Sequence, residues 1–218
     1  MADAMTRAIA HASAVVHAEA TANPARAGMG ATLTALVVGG GKAVVGHVGD
    51  TRAYLLRDGT VHQLTTDHKL ADELVRSGAM TAEQAAASPY RHVLTRTIGT
   101  QAAVKVDAFV LGVVPGDRFL LCTDGLSDYI EGPDDLRPYF DEDLATVPQD
   151  LVAFANASGG HDNVSVVALR VDAKDPDRDT SPDEAAAARV QALGRTSLFV
   201  DLPLARLSQV LALAEPFD

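Results

Sequence analysis

Three aspartates, each close to a glycine at one end of an apolar run, are the residues best suited to chemistry in this sequence. They are Asp50, Asp124 and Asp162, in the segments AVVGHVGDTRAYLLRDG (43–59), FLLCTDGLSDYI (119–130) and ASGGHDNVSVVAL (157–169). A carboxylate where a strand gives way to a turn presents oxygen acceptors and no donor. Mg²⁺ and Mn²⁺ prefer oxygen ligands, so aspartates gathered from distant strand ends could hold a binuclear metal centre.

A plain turn is the alternative explanation for each aspartate, because aspartate and glycine are also common turn residues. Asp58-Gly59 illustrates that case, since it lies between two short apolar segments with no further acid, and it predicts an ordinary hairpin. Asp124 differs because Asp128 follows it four residues later, and Asp162 differs because the strand-like run VSVVAL follows at once. A chemical role is therefore assigned to the segments around Asp50, Asp124 and Asp162, called the three islands below, and not to the hairpin.

Hydrophobic patterns predict the elements that must position these aspartates. An Ala-rich amphipathic helix over 2–20 carries Ile9, Val15 and Val16 on one face and ends at Asn23-Pro24. Strands are predicted at 31–38, 42–48, 52–57, 60–64, 104–111, 118–123 and 164–171. Helices are predicted at 68–77, 81–87, 133–140 and 147–157.

Other short motifs are interpreted as structural. Thr81 with Gln84 three residues later has the spacing of a capping box at a helix start. The Gly run 39–41 predicts a hairpin turn, because Lys42 is followed by alanine where a phosphate loop has serine or threonine. Exposed or hydrogen-bonded core positions are favoured for the histidines, and His161 is given no role.

Taken in this order, the three islands resemble the type-2C metal-dependent protein serine/threonine phosphatases, in particular their bacterial branch. The matching motifs are GDTR (49–52), TDGLSD (123–128) and GHDNVS (160–165). The segment 65–99, called the flap segment below, resembles the family's mobile flap and the strand after it. Residues 28–38 resemble the family's transition from a helix into a strand, so the resemblance covers about residues 1–171.

The resemblance implies an α+β fold, a four-layer sandwich of two antiparallel β-sheets flanked by helices. It implies hydrolysis of phosphoserine and phosphothreonine in proteins by a water that two Mn²⁺ or Mg²⁺ ions activate, without a phosphoenzyme. By residue correspondence, Asp124 and Asp162 would bind these ions directly, and Asp50 with Asp128 would serve a third, weaker metal position. Arg52 would hold the Asp50 turn by a charge-assisted hydrogen bond, and the flap around residues 68–90 would shape access for phosphoprotein substrates.

The chain also departs from the family's pattern, because family members begin with two strands and a helix that have no counterpart here. The absent parts carry an arginine that grips the substrate phosphate, an early aspartate, and an Asp-Gly-Met-Gly-Gly-His turn with the bridging metal ligand. Residues 1–27 resemble the family's second helix instead, so we expect a sandwich that lacks its N-terminal strands. We therefore expect this chain alone to be inactive, and no catalytic or substrate-binding residue is assigned.

Two other classes of function are compatible with the same residues. A regulatory or binding module could keep the fold without catalysis, and the sequence upstream of Met1 would separate this alternative from an incomplete enzyme. A domain stabilised by Ca²⁺ without enzymatic ancestry is the other class. The ordered set of islands disfavours that class.

Composition excludes several kinds of partner. A net charge of −11 without Lys or Arg clusters argues against a nucleic-acid binder. No apolar stretch approaches membrane-spanning length, and Asp3 and Arg7 stand where a signal peptide would be apolar. The single cysteine, Cys122, lies in an apolar run and indicates a buried thiol in a reducing compartment. The sequence thus predicts a cytoplasmic protein, and the family resemblance implies that its partners are phosphorylated proteins, including serine/threonine kinases and their substrates.

The C-terminal part differs in character from residues 1–171. Residues 172–188 are rich in Asp, Pro and Ala without apolar periodicity, which predicts a linker. Residues 189–218 predict a helical segment that resembles the start of a cyclic-nucleotide-binding domain. A C-terminal helix packed on the phosphatase-like core is the equal alternative. A cyclic nucleotide would be a ligand only if a complete domain of that kind exists.

Overall fold

The computed structural model of the chain describes residues 1–140 and 143–172. Its helices are α1 (Ala2–Ala22), α2 (Leu70–Arg76), α3 (Ala82–Ala86), α4 (Asp124–Ser127), α5 (Arg137–Phe140) and α6 (Val147–Ala157). Its strands are β1 (Leu33–Gly39), β2 (Lys42–Val48), β3 (Arg52–Arg57), β4 (Thr60–Gln63), β5 (Asp107–Gly112), β6 (Arg118–Cys122) and β7 (Val166–Arg170). Two 3₁₀ turns lie at Pro24–Arg26 and Pro133–Leu136.

The strands form two antiparallel sheets, which confirms the predicted α+β class. The first sheet has the order β1-β2-β5, and the second has the order β4-β3-β6-β7. Register in the second sheet matters for function, because Arg52 pairs with Cys122 and Cys122 pairs with Val166. The start of β3, the end of β6 and the start of β7 therefore meet at one edge of this sheet.

The inner faces of the two sheets share an apolar core. Its fully buried members are Ala43 of β2, Leu55 of β3 and Phe119 of β6, and partly buried aliphatic residues of both sheets pack around them. Alternate residues of a strand point to opposite faces, so the intervening positions of the same strands face outward to the helices. Tyr54 and Leu120, one position away from Leu55 and Phe119, accordingly belong to a different buried cluster.

Helices cover both outer faces, which completes the four layers. The helix α1 packs on the first sheet, where Ile9 meets the buried Val48 and Ile98. Within α1 the burial differs from the predicted face, since Val15 is 54% exposed. The buried positions are Ile9, Ser13 and Ala20, whose spacing of four and seven residues follows the helical period more closely.

The second sheet is covered by the short helices and turns after β6. Its outer cluster contains Tyr54, Leu120 and Cys122 of the strands together with Leu126, Leu136, Phe140 and Leu151 of the helical layer. Cys122 is buried, so the prediction of a buried core thiol is confirmed, and burial raises the pKa of this thiol to about 12.

Most predicted elements are confirmed, with small differences at their ends. The predicted helix over 133–140 is instead a 3₁₀ turn followed by the short α5. Pro138 accounts for the difference, because proline has no amide hydrogen and cannot continue a regular helix. In the flap segment, the capping box between Thr81 and Gln84 is present. Both predicted hairpins are also present, one between β1 and β2 and one between β3 and β4.

The C-terminal predictions fall on a part of the chain that is not described. The helical segment 189–218 lies outside the described residues, and so does the predicted linker apart from Asp172. Within 1–140 and 143–172, no helix combines the length and the apolar character needed to cross a membrane.

Candidate functional site

The turn between β2 and β3 places Asp50 at the edge where β3, β6 and β7 meet. Its conformation requires glycine, since Gly49 has a φ of +112° and an added Cβ there would lie 2.3 Å from the side chain of Thr32. Asp50 itself is 6% exposed. The local sequence thus forces a tight turn that carries a carboxylate into a mostly buried position.

The second and third islands are joined directly by their backbones. The Thr123 N–H donates to the Ser165 carbonyl at 3.1 Å, and the Ser165 N–H donates to the Thr123 hydroxyl at 3.0 Å. Gly125 permits the close approach, because a Cβ at this position would lie 2.4 Å from the carbonyl oxygen of Asn163. These contacts bring Asp124, the first residue of α4, towards Asp162.

All four aspartates predicted from the sequence contribute to one region of negative potential. Burial raises the pKa of Asp124 above its usual 3.8, and the carboxylates of Asp50, Asp128 and Asp162 raise it further. We call these four residues the acidic cluster. In the described part of the chain, no three Asp, Glu, His or Cys side chains are arranged to hold a metal ion by themselves. The cluster therefore offers oxygen ligands and excess negative charge, but not a closed cage.

Lys69 lies against Asp50 and Asp128 of the acidic cluster, and it was not among the residues predicted from the sequence. Its ammonium is 3.3 Å from an oxygen of Asp50, 3.5 Å from Asp128 and 3.7 Å from Asp67. Burial opposes its charge, but these three carboxylates outweigh burial and raise the pKa of Lys69 above its usual 10.5. Its position at the N-cap of α2 was a usable signal, because a cation there opposes the helix dipole and needs acidic partners elsewhere.

Arg52 has a different partner from the one predicted. Its guanidinium donates to both oxygens of Asp67, with Nε at 3.0 Å from Oδ1 and Nη2 at 2.8 Å from Oδ2. Burial opposes the charge of Arg52, yet the hydrogen bonds to Asp67 raise the pKa of its guanidinium. The expectation that Arg52 holds the Asp50 turn is therefore wrong. A bidentate pair with Asp67 is the better geometry for a planar guanidinium, and it ties β3 to the flap segment.

A buried histidine fixes the same region from the other side. His68 Nδ1 accepts a hydrogen bond from the Gly49 N–H at 3.0 Å, so its Nε2 carries the proton that it donates to Asp107 at 2.9 Å. Arg96 also donates to Asp107, at 2.8 Å. His68 is 1% exposed, in agreement with the expectation that histidines here are hydrogen-bonded core residues.

A cleft of about 710 Å³ opens beside the acidic cluster. Its wall on the flap segment includes residues of α2 and α3, and its opposite wall includes α4 and the loop before β7. Charged or polar residues that line it are Arg52, Asp67, Lys69, Asp72, Arg91, His92, Ser127, Asp128, His161 and Asp162. The Ser127 hydroxyl is buried and has no hydrogen-bond partner among the described residues. The cleft is thus charged, and its lining includes one buried hydroxyl that is not hydrogen-bonded to any described residue.

Known proteins match most of the chain. A sequence model of the family described as protein phosphatase 2C matches residues 1–153. A protein named protein phosphatase PhpP, from Streptococcus pneumoniae, is 37% identical over 150 residues, which are 68% of this chain and 61% of that protein. The solved structure of a serine/threonine phosphatase from S. agalactiae has a TM-score of 0.71 and 33% identity over 78% of this chain and 69% of its own.

A third relative was solved with bound metal. The catalytic domain of the serine/threonine protein phosphatase PstP, in complex with two manganese ions, has a TM-score of 0.64 and 32% identity, with coverage of 74% of this chain and 67% of its own. The chain spans about three fifths of the length of the curated S. pneumoniae relative. It covers larger fractions of the two solved structures, 69% and 67% of their length. The family match over residues 1–153, together with the similarity to the solved S. agalactiae structure, shows that the chain belongs to the protein phosphatase 2C family.

Proposed function

We propose that this domain hydrolyses phosphoserine and phosphothreonine in proteins with the help of divalent metal ions. The observation that carries the proposal is the acidic cluster, in which four aspartates from three distant segments act on one another and two of them, Asp128 and Asp162, line the cleft. The relatives support it, because PhpP and PstP are named protein phosphatases and PstP was solved with manganese.

Asp124 and Asp162 are the proposed ligands of two Mn²⁺ or Mg²⁺ ions. The donor set fits such ions, because Mg²⁺ is bound in proteins through one or two carboxylates and keeps several waters. The raised pKa of Asp124 also supports metal binding. The charges of three other carboxylates destabilise the ionised form of Asp124, and a bound cation would offset that repulsion. When bound, ions of this kind supply an acidified water and polarise phosphoryl oxygens.

The remaining cleft residues are proposed to orient the substrate. Arg91 stands on the flap side of the cleft, and its Nε donates to His92 Nε2 at 2.7 Å. Its guanidinium could bind a phosphate group that also contacts metal ions held by the acidic cluster. The unpartnered hydroxyl of Ser127 offers a further hydrogen bond on the α4 side. The helices α2 and α3 form the wall past which a phosphoprotein segment would enter.

The proposed partners are phosphorylated proteins, and the proposed location is the cytoplasm. The acidity of the chain disfavours nucleic acid, as the net charge of −11 indicates. Serine/threonine kinases and their substrates are the class of protein that would supply phosphoserine and phosphothreonine. Binding of a cyclic nucleotide by residues 189–218 remains a separate hypothesis about the part of the chain that is not described.

The experiment that tests the proposal is Mn²⁺-dependent hydrolysis of a phosphothreonine peptide. We expect little activity from the 218-residue chain and clear activity from an N-terminally extended version. Asp124→Asn should lower activity of the extended version by at least about 100-fold, because even outer-shell partners of a metal cost about 10–100-fold. Asp58→Asn, in the exposed hairpin, is the matched control. Full activity of extended Asp124→Asn would contradict this assignment, and an extended wild type without activity would favour the binding-module alternative.

A further inference from the structure

Lys69 occupies the place between Asp50 and Asp128 that the family resemblance reserved for a third metal ion. Its ammonium lies 3.3 Å from Asp50 Oδ2 and 3.5 Å from Asp128 Oδ1. The Lys69 side chain is 7% exposed and that of Asp50 is 8% exposed, so water screens this pair poorly. A divalent ion that bridged the same two carboxylates would need to come within about 2.0–2.6 Å of their oxygens. The ammonium and such an ion would overlap in space and repel each other in charge.

The charges around Lys69 also show which carboxylates depend on it. Asp67 already has a bidentate partner in Arg52. Asp50 makes its ion pair with Lys69 among the described residues, and Asp128 has Lys69 at 3.5 Å and only a longer approach from His92 at 3.9 Å. Lys69 is therefore the main neutralising cation of Asp50 and Asp128.

The backbone before and after Lys69 is paired with one neighbouring segment, residues 93–95. Lys69 forms a β-bridge with Leu94, and the neighbouring Leu70 N–H donates to the Val93 carbonyl at 2.8 Å. On the other side, the His68 carbonyl accepts a hydrogen bond from the Thr95 N–H at 2.7 Å. The ammonium is thus supported by the fold of the flap segment, and its stem is not a freely moving surface side chain.

We propose that Lys69 is a built-in cation, which replaces the third divalent ion at the Asp50–Asp128 position. The chain then carries one permanent positive charge there, and the divalent ions are confined to Asp124 and Asp162. This inference rests on the proposed function for the identity of the ions, but its geometry stands on Lys69 and its carboxylates alone. It also ties the base of the flap segment to the acidic cluster without any metal.

The test is a titration of the full 218-residue chain with Mn²⁺. Electron paramagnetic resonance measures the concentration of free Mn²⁺, and so the number of bound ions and their affinity. Lys69→Met keeps the length of the side chain and removes its charge. We expect this variant to bind one Mn²⁺ more than the wild type, with an affinity at that position at least about tenfold higher than in the wild type. Adding Asp128→Asn to Lys69→Met should abolish the gain. Lys42→Met removes the same charge at an exposed position in the β1–β2 hairpin and should bind like the wild type.

Equal Mn²⁺ numbers and affinities in Lys69→Met and the wild type would overturn the inference. A second variant covers the case in which Lys69→Met does not fold. Asp128→Asn, whose side chain is 40% exposed in the wild type, should leave the number of Mn²⁺ ions unchanged, and the loss of one ion would overturn the inference. A wild type that binds no Mn²⁺, beside a Lys69→Met variant that binds one, would contradict the proposed two-ion centre and still support the role of Lys69.

Discussion

At the scale of single residues, the acidic cluster is an unfavourable arrangement that a bound cation would relieve. Asp124 is partly buried and faces three further carboxylates, and each of these effects disfavours its ionised form. Lys69 offsets part of this cost, because its positive charge lowers the pKa of Asp124. Function and stability are therefore opposed at this residue when no metal is bound.

Asp124→Asn should make the metal-free chain more stable and weaken its response to Mn²⁺. The sign follows from the raised pKa, since an acid whose pKa is raised on folding destabilises the fold at every pH at which it is ionised. We expect a higher melting temperature than wild type at pH 7 without metal. We also expect a much smaller rise on adding Mn²⁺, because the neutral amide is a poor substitute for the anionic ligand.

Thermal melts of wild type, Asp124→Asn and Asp58→Asn with and without Mn²⁺ measure both effects. The Asp58→Asn control changes the same chemical group in the exposed β3–β4 hairpin and should behave like the wild type. A wild-type rise on adding Mn²⁺ that persists undiminished in Asp124→Asn would contradict the assignment of Asp124.

At the scale of elements, the flap segment is anchored at its base by three consecutive residues. Asp67 pairs with Arg52 of β3, His68 accepts from the turn after β2, and Lys69 contacts the acidic cluster. All three side chains are buried, although the helices α2 and α3 that follow carry mostly partly buried and exposed residues. The base is therefore a rigid part of the sandwich, and the flap helices are less constrained.

His68→Ala should destabilise the domain, because it leaves the Gly49 N–H without its partner and leaves Asp107 with Arg96 alone. A buried polar group left unsatisfied costs about 1–3 kcal/mol, and each kcal/mol lowers the melting temperature by about 2–4 °C in a domain of this size. His62→Ala, on the exposed side of β4, is the matched control. Equal melting temperatures for the two variants would mean that His68 does not hold the Asp50 turn.

At the scale of the whole molecule, one arginine links the two sheets at the end opposite the site. Arg57 of β3 donates to both oxygens of Asp117, at 2.9 Å and 2.6 Å, and to the Gly112 carbonyl of β5 at 2.7 Å. The Val114 N–H also donates to Asp117, at 2.9 Å. These bonds connect the second sheet to the last strand of the first sheet, so the sandwich is held by more than its apolar core.

Acid should weaken this link. The hydrogen bond from Arg57 lowers the pKa of Asp117 below its usual 3.8, because it stabilises the carboxylate. A lowered pKa on folding contributes stability that is present above pH 3.8 and disappears as the pH falls through the lower, folded-state value. Asp117→Asn should therefore lower stability at pH 7 and reduce the further loss below pH 3.8.

Urea unfolding between pH 2 and pH 7 measures this contribution. Asp134→Asn changes an exposed aspartate in the turn before α5, and its pH dependence should match that of the wild type. An Asp117→Asn variant with the same stability as the wild type at both ends of the pH range would contradict the role of the pair.

Local chemistry in the sequence determined the elements and the candidate ligands. The strands 42–48 and 52–57 and the helix 147–157 could be predicted to the residue, because alternation and helical period are read within one segment. Asp50, Asp124 and Asp162 could be predicted as one group because each stands where a strand ends, and antiparallel pairing gathers such ends at one edge. The family could likewise be inferred, because its motifs are short and contiguous.

Only the tertiary structure decided which charges meet. The partner of Arg52 is Asp67, 15 residues away, and not the nearby Asp50. Lys69 joins the acidic cluster from a segment with no visible relation to Asp128, since they meet only when the flap segment folds back on the second sheet. Such contacts depend on side-chain reach and on the folding of loops between elements, and no period or motif encodes either. The cation at the centre of the acidic cluster therefore became visible only in three dimensions.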